Sequence, residues 1–280
     1  MKKMLFFTIC VMMLGFTSCE SNEPAKSKSN GIGVFSVSAT QQVAFSPGNL
    51  QYQPANNVWR FAINQIDYIG DANDSISSTY NGWIDLFGWS TSTTNFGVST
   101  STDCNDYSGS FVDWGTNTIG NDAPNTWRTL SKDEWMYIFY SRPNAQSLFA
   151  LGSVNGVNGA IVLPDDWVTP IGVTFVASTT QGLSWGGRYY YNSSDNNFTH
   201  NIYTYEQWLK MEEAGAVFFP TCGYREGTGV YHISILGRYW SSTEFNEYTA
   251  FYMSFYSNEL RPWDNIDRAS GYSVRLVKDL

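Results

Sequence analysis

A chain of 280 residues, 42% hydrophobic and only 15% charged, carries enough apolar material for a packed core, which argues against disorder. Its formal net charge of −9 disfavours nucleic acid and anionic membrane surfaces as partners, because phosphate binding needs clustered Lys and Arg. Aromatic content of 17%, with abundant Gly, Ser and Asn, favours strands and turns over helices.

The chain opens on the basic Met1-Lys2-Lys3, followed by a short apolar run from Met4 to Phe16 and then Thr17-Ser18-Cys19. The run is too short to span a bilayer as a helix of roughly 20 residues, and it reads as a secretory signal. Phe16-Thr17-Ser18-Cys19 resembles the lipobox of bacterial lipoproteins. That resemblance implies cleavage after Ser18 and lipidation of Cys19. Removing residues 1–18 takes away Lys2 and Lys3 and no acid, leaving −11. Residues 19–31 hold the lipidated Cys and a polar flexible tether, and residues 32–280 read as a single domain.

Short β-branched and aromatic runs follow at Val34–Val37, Val43–Phe45, Leu50–Tyr52 and Trp59–Ala62, with turns at Pro47-Gly48-Asn49 and Pro54–Asn57 between them. They predict a meander of short strands. Asp71–Thr102 is rich in turn formers but carries Trp83, Phe87 and Trp89, so its loops are expected to pack on the body. Ser131-Lys132-Asp133-Glu134 is a capping box, with Trp135, Ile138 and Phe139 behind it at helical spacing; Arg142-Pro143 ends that helix. Gly159–Leu163 reads as a strand and Asp165-Asp166 as a turn after Pro164. Thr204–Gln207 is a second capping box, Gly215 its stop, and Ala216–Pro220 a further strand. The expected class is α+β.

The last forty residues organise the rest. Gly237–Glu244 and Gly271–Val277 read as strands, and between them lies a segment dense in aromatics, Asn, Ser and Arg. That mixture offers rigid contact area with adaptable hydrogen bonding.

Trp127-Arg128-Thr129-Leu130-Ser131-Lys132-Asp133-Glu134-Trp135 resembles the Trp-Arg-Leu-Pro-Thr-x-x-Glu-Trp motif of the formylglycine-generating-enzyme branch of C-type-lectin-like folds. Phe219–Arg225, Gly237–Thr243 and Tyr272–Val277 resemble three consecutive blocks of the "major paralogous domain" surface proteins of gut bacteria, and variable proteins of diversity-generating retroelements. The resemblance implies a C-type-lectin-like fold with two helices, small antiparallel sheets, one of them pairing the chain ends, and long irregular loops. Carried over by position, ligand-binding residues would fall at Phe245, Asn246, Tyr248, Phe251, Tyr252, Tyr256 and Asn258; Arg261 and Trp263 join them as Tyr/Trp/Arg recognition chemistry.

Other side chains read structurally. Trp240 is expected in the core, with Ser241, Ser242 and Thr243 satisfying nearby backbone groups, and Arg275 is expected against a buried acid such as Glu244. Cys104 and Cys222, the cysteines beyond Cys19, could form one disulfide in an oxidising exterior, and spacing leaves the pairing open. His200 and His232 read as surface or turn residues. Asp71–Asp74 lacks the EF-hand glycine and glutamate, so no cofactor is expected, with calcium kept open through the Asn/Asp loops. The enzymatic relatives need a close cysteine pair or clustered histidines, and neither is present. These readings point to a non-enzymatic outer-membrane lipoprotein, exposed at the cell surface and attached by its lipid alone. It would bind an extracellular protein or glycan as a receptor or adhesin. The alternative is a structural or tip subunit of a fimbrial assembly, and an enzyme on the same fold comes behind both.

Overall fold

The computed structural model describes residues 31–177 and 196–280, together with the backbone of two short strands, Leu183–Ser184 and Arg188–Tyr190. The expected leader, Cys19 and the tether up to Asn30 lie outside the described residues. The architecture is α+β: short helices packed among small, mostly antiparallel sheets.

One sheet joins the two ends of the chain. Its strands run in the order Phe35–Ser36, Gln42–Phe45, Leu276–Asp279, Arg128–Thr129. Val277 lies opposite both Phe45 and Arg128, so the last strand is an interior one. A second sheet holds Phe149–Val154 and Val157–Val162 at its centre, with Val217–Pro220 antiparallel on one side and Ile202–Tyr203 parallel on the other. Its central hairpin turns at Asn155 and Gly156, both at positive φ (49° and 82°), the conformation an Asn-Gly pair accepts most readily.

Both helices begin at the sequence-predicted capping boxes. Helix α1 (Lys132–Met136) starts at Ser131, whose hydroxyl accepts from Glu134 N (3.2 Å) while the Glu134 carboxylate accepts from Ser131 N (2.7 Å). Arg128 grips the same carboxylate with two nitrogens (2.9 and 2.7 Å) and reaches Asp279 (2.8 Å), tying the cap to the chain end. Past Met136 the helix widens into a π-turn, Tyr137–Ser141, which keeps Ile138 and Phe139 both buried before Pro143. Helix α2 (Tyr205–Glu213) starts at Thr204, reciprocally bonded with Gln207, and buries Trp208 and Met211. Gly215 ends it at φ +92°, where an added methyl would also lie 2.7 Å from Gly33 Cα.

Loops carry large aromatics inward. Phe87, Trp89 and Trp114 are buried between the early hairpin (Leu50–Gln53 with Val58–Phe61) and the C-terminal strands. Asp165 accepts from Ser36 N (2.8 Å), Ser36 Oγ (2.6 Å) and Arg142 (3.1 Å), so this acid braces a turn. His200 and His232 are exposed in turns.

The segment after Thr243 is more regular than expected. It forms an antiparallel meander, Gly237–Glu244, Thr249–Tyr256 and Glu259–Asp267, extended by Arg188–Tyr190 and Leu183–Ser184. Two register shifts, between Trp240 and Glu244 and between Tyr252 and Ser254, break its alternation. The sequence motifs thus flank a sheet whose tips, rather than whose whole length, reach solvent.

Candidate functional site

The meander's ladder fixes which side chains turn outward. At its first tip, Phe245 is 54% exposed and Tyr248 45% exposed. Asn246 makes this tip: its Oδ1 accepts from Tyr248 N (2.9 Å), Thr249 N (2.9 Å) and Thr249 Oγ1 (3.1 Å). One side-chain oxygen thereby closes the turn from within. Arg268 holds it from outside. This guanidinium is 1% exposed, lies over the Trp89 ring (4.4 Å to centroid), and donates to the Tyr107 (3.3 Å), Gly109 (3.0 Å) and Asn246 carbonyls and to Glu244 (3.1 Å). Its backbone N donates to the Tyr248 carbonyl (2.9 Å).

From the tip an aromatic row runs across the sheet. Phe245 meets Phe251 edge-on at 5.3 Å, and Phe251 meets Trp263 at 6.1 Å; Phe251 and Trp263 are half-buried. The Lys132 ammonium stands 5.2 Å from the Phe251 centroid. Lys132 N also donates to Thr243 Oγ1 (3.0 Å), so the start of α1 is pinned beside the row. The result is a pre-formed strip of aromatic edges with one ammonium and the Asn246 turn at its border.

Other predicted contact residues have different tasks. Tyr252 is a correction: it is 5% exposed, packed on Trp240 (6.2 Å) and Tyr272 (4.9 Å), at the bulge where the strand buries consecutive residues. Its hydroxyl is pushed up to about 12 by burial. Tyr256 accepts from Arg238 (3.2 Å), whose guanidinium also donates to Tyr272 (2.8 Å) and faces the Tyr224 ring at 4.6 Å. Arg261 is held by Glu259 (2.8 Å) and Asp264 (2.7 Å) on its own strand, so its charge is already balanced. Asn258 sits half-buried in the turn between the second and third meander strands.

Trp240 is 1% exposed and donates to the Phe87 carbonyl (2.7 Å). Ser241 Oγ donates to the Phe251 carbonyl (2.9 Å). Arg275 does not meet Glu244, whose carboxylate is taken by Arg268. It is buried and donates instead to the carbonyls of Ser46 (3.2 Å) and Phe218 (2.6 Å); burial pushes its pKa down to about 10. The disulfide is also corrected: Cys104 and Cys222 are both free thiols. Cys222 is buried within hydrogen-bonding reach of Asn49 (3.3 Å) and Tyr239 (3.7 Å), and burial pushes it up to about 12; Cys104 lies half-buried in a surface turn.

Sequence reasoning missed Arg268 and Lys132. An Arg inside a polar run carries no local mark of burial, since its acceptors here are distant carbonyls. Among the described residues no group of three or more His, Cys, Asp and Glu could hold a metal ion, and no helix is long and apolar enough to cross a membrane.

The chain is similar over residues 187–277 to a family described as a domain of unknown function, DUF8237. That stretch takes in the three meander strands, Gly237–Glu244, Thr249–Tyr256 and Glu259–Asp267, and reaches Val277 in the sheet that joins the chain ends. No curated protein and no solved structure matches the chain.

Proposed function

We propose that this protein is a non-enzymatic, lipid-anchored binding protein of the outer-membrane surface, with a C-type-lectin-like fold. It engages an extracellular protein or glycan through the Phe245–Phe251–Trp263 row and the Tyr248 tip. The signal and lipobox-like start support export and anchoring, and the sheet joining the chain ends supports the fold assignment.

One observation carries the reading: large aromatics are presented to solvent on a fixed sheet, at a turn braced by Asn246 and Arg268. Such groups need little ordering on binding, so more of their contact energy appears as affinity. Truncating a central aromatic anchor typically costs about 2 kcal/mol or more, roughly thirty-fold in Kd.

The experiment is a protein and glycan array probed with the wild-type chain and with Phe251→Ala and Trp263→Ala, each checked by circular dichroism. Loss of a wild-type ligand in both folded variants is expected. A ligand retained undiminished by both would overturn this assignment.

A further inference from the structure

A groove lined by none of the meander residues lies between the early loops. The early hairpin, the loop at 76–78 and the loop at 94–100 enclose an open groove of about 350 Å³. That is near the small end of the range of ~300–1,000 Å³ usual for ligand clefts. Its walls include Tyr52, Ile76, Ser78, Asn95, Val98 and Thr100, and among the described residues none of those lining it is charged. In a chain with 25 acidic residues, a cleft whose described wall carries no carboxylate is a chemical statement about its occupant.

The floor is stiff. Tyr52 leans on Trp59 (4.2 Å between centroids, 31°), and Trp59 is backed by Phe87 (5.6 Å) and Phe96 (5.8 Å). The Tyr52 hydroxyl donates to Asn57 (3.0 Å), fixing its ring. The 94–100 wall is equally set: Trp114 Nε1 donates to the Phe96 carbonyl (2.8 Å) and Gly88 N to the Gly97 carbonyl (2.9 Å). The rim offers the opposite chemistry. The Ser78 and Thr100 hydroxyls and the Asn95 amide nitrogen have no hydrogen-bond partner among the described residues. Asn95 spends only its carbonyl oxygen, on Gly97 N (3.1 Å).

We infer that this groove binds a short neutral saccharide. The C–H face of a pyranose is apolar and faintly positive, and it complements the negative face of an aromatic ring. Sugar hydroxyls both donate and accept, as Ser and Thr hydroxyls do, and Asn adds a donor. A nucleotide or a uronic acid would bring charge that no lining residue balances. A purely apolar ligand would leave the hydroxyl rim facing it unpaired. The site is independent of the aromatic row on the meander and stands or falls without it.

Saturation-transfer NMR on the full chain in detergent tests the inference. The probes are neutral disaccharides of glucose, galactose, mannose and N-acetylglucosamine in α and β linkage, with glucuronic acid as the charged control. At least one neutral disaccharide is expected to bind, with Kd on the order of 1 mM for so open a cleft. Tyr52→Ala, and the rim variants Ser78→Arg and Thr100→Arg that fill the groove from exposed positions, should each weaken it about tenfold or more. Phe251→Ala and Trp263→Ala should leave it unchanged. The inference is overturned by silence across the neutral panel, by stronger transfer to glucuronic acid, or by binding that survives both rim variants. Loss in the meander variants alone would overturn it too, and would move the sugar to the other surface.

Discussion

Replacing Arg268 with Ala should unlock the Glu244–Tyr248 tip and weaken the protein as a whole. The ion pair with Glu244 is a minor part of this, because that carboxylate side chain is 63% exposed and well screened. The carbonyl contacts matter more. Tyr107, Gly109 and Asn246 each lose a charged donor, and hydrogen bonds to charged groups are worth about 1.5–3 kcal/mol each. Water can re-solvate Gly109 and Asn246, which are exposed, but reaches the buried Tyr107 poorly. Adding the lost stacking on Trp89, we expect a destabilisation of about 3–4 kcal/mol. For a domain of this size that corresponds to a fall in Tm of roughly 6–16 °C. Arg268→Lys keeps the charge but cannot reach all four acceptors, and should recover less than half of the loss. Guanidinium denaturation gives the global cost, and limited proteolysis with mapping of cleavage between Phe245 and Tyr248 gives the local one. If Arg268→Ala stays within about 1 kcal/mol of wild type and its tip remains uncut, the clamp does not hold the turn.

Asp85 is buried and its pKa is raised to about 6 by that burial, above the usual unfolded value of roughly 3.9. The folded state therefore holds the proton more tightly, so this group's stabilisation is complete below about pH 4 and is lost as pH rises through 6; wild type should lose about 3 kcal/mol relative to Asp85→Asn by pH 7. A pH-independent difference between the two in urea titrations would refute the assignment. Thr204→Ala and Ser131→Ala should each cost about 1 kcal/mol and add when combined, since they cap separate helices; thermal melts of the single and double variants decide it. Reducing agent should leave the melting temperature unchanged. Iodoacetamide should label Cys104 in the native protein but Cys222 only after unfolding, as read by mass spectrometry.

What could be read from the residues was what local chemistry decides. Ser131 with Glu134 and Thr204 with Gln207 mark helix starts because both halves of each cap lie within one turn of chain. Pro and Asn punctuation located the early strands for the same reason. The first meander strand, Gly237–Glu244, was legible as one, but the two that follow were illegible because bulges interrupt the period of two on which strand reading depends. That interruption also hid Tyr252, which resembles the half-buried Phe251 beside it yet packs on Trp240. Arg275 and Arg268 escaped for another reason. Their partners are main-chain oxygens of residues far away, such as Phe218 and Tyr107, and any residue type carries such an oxygen. The aromatic row was named in part: Phe245, Tyr248 and Phe251 by position from the resemblance and Trp263 by its residue type, but their separation from Tyr252 required the ladder.

The sheet built from both ends of the chain has a consequence for how the molecule comes into being. Its strand Leu276–Asp279 lies between Gln42–Phe45 and Arg128–Thr129, so two pairings wait for residues far downstream. A chain emerging amino-terminus first cannot complete that sheet until Asp279 is free. Contacts spanning such a distance close slowly. Closure of this kind leaves the strands Gln42–Phe45 and Arg128–Thr129 without their shared partner until the rest of the domain has been made.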